Sequence, residues 1–223
     1  MKFFSYDSKF SQLILKLCYA CYLNLLWVIC SLPIVTIGAS TTAIYYTSLK
    51  IIREEDANIG AKFFHSFREN FRQATVLWLI MLAAGLFLGG DIYLVWHLRT
   101  GASGTPAVLW TLCLALLIAA ALVYVIVLEY VFPLLASVSN TNLAMLRNSF
   151  LIGTHYLFAT ILVFAVHFAM FYIVVAVFPP FIVFGEGLCA LISAWLLNQI
   201  LISVSGTPED AQEEEEDSSE EST

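Results

Sequence analysis

Apolar residues occupy this chain in blocks of helical length, separated by short stretches that carry proline, glycine or charge. The pattern predicts apolar helices over about 13–33, 35–52, 74–97, 107–133, 156–178 and 181–203. A minimal span needs about 20 residues at ~1.5 Å rise per residue, so the block from 107 must tilt or protrude. The first block breaks at Ser31-Leu32-Pro33, because proline removes a backbone donor, and resumes after Gly38. The expected fold is therefore an all-α, polytopic helix bundle of five to six membrane segments over residues 1–206. A disordered acidic cytoplasmic tail over 207–223 completes the chain.

Residues 35–52 leave two readings open. Thr36, Ser40, Thr41, Thr42, Thr47 and Ser48 interrupt the apolar run, and small hydroxyl residues let helices approach closely while bonding back to the backbone. The segment either descends as the second helix of a hairpin or lies along the interface. Lys and Arg near span ends favour the cytoplasmic side. If 35–52 crosses, nine of the ten Lys/Arg share one side and only Arg99 is outside; if it does not, the bias falls to six against four. This favours six segments with both termini and the loops 50–73 and 137–155 inside, and 98–106 and the Phe178-Pro179-Pro180-Phe181 turn outside. The basic start before the first block reads as an uncleaved first span.

Between the second and third blocks, IGAKFFHSFRENFRQ sets Phe63, Phe64, Phe67 and Phe71 at helical spacing, with Lys62, Arg68 and Arg72 elsewhere around the turn. That pattern predicts an interfacial amphipathic helix, aromatic face in lipid and cations toward anionic headgroups. A docking helix for a cytosolic partner has the same pattern, so these residues are candidates for lipid or partner binding.

Composition agrees with a membrane body. Of all residues 60% are hydrophobic and 12% charged, with mean hydropathy +0.84, more apolar surface than a soluble globule of 223 residues can bury. The formal charge of −7 is misleading, since nine of the seventeen carboxylates lie between Glu209 and Glu221, leaving ten Lys/Arg against eight Asp/Glu elsewhere. The tail has no apolar cluster to offset the entropy of ordering. All five cysteines sit in apolar runs and predict no disulfide. The lone pair Cys18 and Cys21 lacks a second CxxC or a nearby His to complete a metal site.

The stretch NLLWVICSLPIVTIGASTTAIYYTSLKIIREE at 24–55, followed by FFHSFRENFRQATVLWLI at 63–80, resembles the YesL-like family of bacterial membrane proteins of unknown function. The likeness extends to about residue 204, is strongest before residue 82, and excludes the tail. It implies a small multi-pass protein of the bacterial cell membrane, often encoded beside carbohydrate ABC uptake systems and sugar-processing enzymes. It implies no established activity.

The candidates for chemistry are polar groups inside the spans: Asn24, Asp91, Glu129, His167, Glu186, Asn198 and Gln199. Asp91 lies in the outward third of its span, Glu129 near an inner end and Glu186 just after the outer turn. All three are placed to reach water or headgroups, while His167 is nearest a midplane. Neither HExxH, GxSxG, a Walker-type loop nor a paired Asp/Glu motif occurs. The sequence therefore points to no enzyme, no cofactor, no metal and no nucleic-acid partner. The partners it suggests are the lipid bilayer and, through the resemblance, membrane subunits of a sugar ABC transporter. Two function classes remain: an accessory or interaction protein of carbohydrate uptake, and a small-solute transporter or channel. Faint echoes, Leu32-Pro33 with Phe132-Pro133 and Ser66-Phe67 with Ser149-Phe150, suit the repeated halves of transporters and apolar low complexity equally.

Overall fold

The computed structural model describes residues 9–53 and 58–205, and no strand occurs among them. The acidic tail, the extreme N-terminus and residues 54–57 lie outside the described residues. The chain forms α1 (Lys9–Ser31), α2 (Ile37–Ile52), α3 (Ile59–Thr100), α4 (Thr105–Leu135), α5 (Asn142–His155), α6 (Leu157–Tyr172) and α7 (Gly185–Ser205). Five of these, α1, α3, α4, α6 with its continuation to Val177, and α7, are long and apolar enough to cross a membrane.

The break after α1 is built around Pro33, whose backbone is extended, and a 3-10 turn over Ile34–Thr36. Its orphaned carbonyls are satisfied locally, as lipid requires. The Thr36 hydroxyl lies 2.6 Å from the Cys30 carbonyl and 2.7 Å from that of Pro33, and Trp78 Nε1 donates to the Ile34 carbonyl at 2.8 Å. Trp27 Nε1 reaches Thr41 Oγ1 at 3.1 Å, tying α1 to α2 across the break.

Helix α2 fits neither sequence alternative in simple form. At 16 residues it rises about 24 Å, short of a ~30 Å hydrocarbon core. Nor does it lie on a surface, because eleven of its residues are buried and it packs against α1, α3, α4 and α7. Its small hydroxyls permit that position by bonding back one turn: Ser40 to Thr36, Thr42 to Gly38 and Thr47 to Ala43. At Gly38 the neighbours come so close that a Cβ would stand 2.5 Å from the Ala74 carbonyl oxygen and 2.6 Å from Trp78 Cβ.

The expected interfacial helix 59–73 is not a separate element. It is the first part of α3, which runs on without interruption because neither glycine nor proline occurs between Ala61 and Ala84. Its aromatic face is divided: Phe63 is fully buried and Phe67 packs against the core, whereas Phe64 and Phe71 are each 41% exposed. Phe63 and Phe67 thus serve packing, and the outward surface belongs to Phe64, Phe71, Arg68 and Arg72. The polar stretch 137–155 also holds a helix, α5, capped by Thr141.

Helix α4 continues through Pro133, where an end was expected, and its last turns from Tyr130 to Leu135 are buried throughout. The connection between α6 and α7 is not a single sharp turn: a π-helical stretch, Ile173–Val177, passes through Phe178 into a 3-10 stretch, Pro179–Val183. Two apolar clusters form the core. One joins α1, α2, α7 and Phe63, and the other joins Ala39, Leu77 and the buried end of α4.

Candidate functional site

Where the two clusters meet, five helices leave a cavity of about 200 Å³. Tyr45 and Thr41 enter from α2, Trp78 from α3, Glu129, Phe132 and Pro133 from α4, His167 from α6 and Glu186 from α7. His167 is the hub. Its Nδ1 lies 2.9 Å from the Val163 carbonyl and 3.6 Å from Glu129 Oε2. Its Nε2 lies 3.4 Å from the Tyr45 hydroxyl and 3.8 Å from Glu186 Oε1. The backbone contact fixes the tautomer of a neutral ring: with Nδ1–H donating to Val163, Nε2 accepts from Tyr45.

Three sequence candidates therefore converge: Glu129 and Glu186, which the sequence places toward different ends of their spans, meet at one cavity. Glu129 lies six positions before the end of α4, but the turns that follow it are enclosed by α2, α3 and α5, so that end is interior. Glu186 comes inward because the 3-10 stretch delays the start of α7 to Gly185, placing the carboxylate on its first turn.

The remaining candidates do other work. Asn24 donates through Nδ2 to the Ile182 carbonyl at 2.9 Å and accepts from the Gly187 amide at 3.4 Å, fastening α1 to the start of α7. Asn198 accepts from Arg53 Nε at 2.8 Å and holds the end of α2 to α7. Asp91 is half-buried on α3 and does not line the cavity, and Gln199 is exposed.

Sequence reasoning missed Tyr45 and Trp78. Each sits in an apolar run with nothing to set it apart, and only burial separates Tyr45 from its neighbour Tyr46. The signal available was the hydroxyl-rich spacing of α2, which marks close helix approach.

Residues 20–92 match the family model described as a protein of unknown function, DUF624. This is consistent with the YesL-like resemblance and covers its strongest part. The matched stretch contains Thr41, Tyr45 and Trp78, hence the α2–α3 side of the cavity, and stops before Glu129, His167 and Glu186. No curated protein and no solved structure matches the chain.

Proposed function

We propose that this protein is a small-solute transporter or channel of the bacterial cell membrane. Its solute site is the cavity around His167, and both termini face the cytoplasm. The observation that carries the reading is the convergence of Glu129, His167 and Glu186, from three separate helices, on one space among apolar spans. Ionisable groups in hydrocarbon cost several kcal/mol on some estimates, and packing alone does not require three of them. The break at Pro33 adds support, since interrupted helices beside a central site are a recurring feature of secondary transporters.

Reconstitution tests the proposal. Purified protein in liposomes is given radiolabelled choline, glucose and alanine, each in counterflow. At least one label accumulates above protein-free vesicles, and Glu129→Gln lowers that rate. If none moves while the protein is folded, the carrier reading is wrong.

A second reading has its own observation. The outward face of Phe64, Arg68, Phe71 and Arg72, together with the family resemblance, suits an accessory protein of carbohydrate uptake that docks on membrane subunits of an ABC transporter. Co-purification of such subunits, abolished by Arg68→Glu with Arg72→Glu while insertion stays normal, would favour it.

A further inference from the structure

We propose that the cavity binds a small organic monocation, an ammonium group bearing a few carbons, between Glu129 and Glu186 and against the faces of Trp78 and Phe132. Its physiological meaning rests on the carrier reading of the same cavity; its content rests on the charge and unfilled bonding capacity of the walls.

With both carboxylates ionised the cavity carries two negative charges, and His167 can return at most one. Among the described residues no Lys or Arg lines it. The carboxylates approach the imidazole at 3.6 and 3.8 Å, distances beyond an ordinary hydrogen bond. Most of their acceptor positions are therefore unfilled. The backbone adds another acceptor, because Pro133 has no N–H to give the Glu129 carbonyl, its partner one turn back.

On another side of Glu129 lies a second void of about 10 Å³, room for a single water. It is lined by Ser193, which is 4% exposed. The surroundings of Glu129 are thus polar enough to admit water but short of positive charge.

The rest of the wall selects the kind of cation. Trp78 and Phe132, whose rings pack on one another at 6.3 Å and 52°, line the cavity together with Tyr45, and aromatic lining of this kind offers cation–π contact to an alkylated ammonium. Among the described residues no three His, Cys, Asp or Glu side chains are placed to hold a metal ion. A volume of about 200 Å³ equals roughly seven waters, enough for an ammonium of about five to eight heavy atoms.

The test uses the full chain in a neutral detergent, with radiolabelled choline as probe. Wild type binds choline saturably. Tetramethylammonium displaces it, and 3,3-dimethylbutan-1-ol, the uncharged isostere, does not. Glu129→Gln and Glu186→Gln, which keep side-chain shape, each weaken binding about tenfold or more through the loss of one charge at contact range. The wild-type comparison of cation with isostere needs no variant and stands even if a substituted chain fails to fold. Absence of saturable choline binding, equal displacement by the isostere, or unchanged binding in both folded variants overturns the inference. Choline binding without movement of any solute in liposomes leaves the inference standing and removes the carrier reading; movement of glucose or alanine without choline binding does the reverse.

Discussion

The α3–α4 hairpin is built in two ways along its length. Toward one end Ala74, Leu77, Val131 and Phe132 are buried against α2 and α5. Toward the other, Leu86, Phe87, Tyr93, Val108, Leu112 and Leu116 stand exposed, and the α3–α4 contacts include Tyr124, whose hydroxyl donates to the Met81 carbonyl at 3.0 Å. Both ends are comparably apolar, so hydropathy does not tell them apart. The difference lies in what is constrained: volume and hydrogen bonding at the packed end, and apolarity alone where side chains face lipid.

Two glycines on opposite sides of that divide give the largest expected contrast. Gly38→Leu drives a side chain into the Ala74 backbone and Trp78, and should leave no folded protein in detergent by size-exclusion chromatography. Gly89→Leu meets nothing within 4 Å and should elute as wild type. If both fold, the close approach of α2 to α3 is wrong. The same divide separates two phenylalanines: Phe63→Ala should cost about 3–5 kcal/mol, as for a fully buried aromatic, while Phe87→Ala should leave the melting temperature nearly unchanged. Equal shifts would erase the distinction between packed and lipid-facing apolar surface.

A smaller effect tests whether the packed end depends on its hydrogen bonds. Asn24→Leu strands the Ile182 carbonyl and the Gly187 amide at the start of α7, and should lower stability by about 1–3 kcal/mol in thermal melts. No change would mean that the Asn24 clamp is incidental. An effect on lipid contact and not on stability belongs to the outward face of α3: reversing Arg68 and Arg72 to Glu should weaken attraction to anionic lipid by about 1 kcal/mol per charge, measured as vesicle affinity, without changing insertion.

Helix identity was legible along most of the chain because apolar length and proline position act locally. The break at Pro33 and the short linker around Gly101 and Gly104 are examples. The continuity of α3 was missed although no breaker separates Gln73 from Ala74, because the change from mixed to purely apolar composition suggested a boundary that the backbone does not need. The site was legible only in part. Glu129, His167 and Glu186 stand out as polar residues in apolar runs, but their meeting depends on how deeply the end of α4 is enclosed and how far the turn at 173–183 carries the chain before α7 begins. Both are tertiary facts, set by the packing of α2. Which of the four phenylalanines of α3 turn inward was hidden for the same reason.

The unbroken course of α3 has a mechanical consequence. A helix of 42 residues is about 63 Å long, and a rod without a joint transmits tilt from one end to the other. Arg68 lies ten residues before Trp78 on that rod, and Trp78 is both a wall of the cavity and the donor that grips the Ile34 carbonyl at the break. Any load applied at the exposed basic end would therefore arrive at the cavity wall as a displacement of Trp78, with Gly38, where no side chain separates the two helices, serving as the fulcrum.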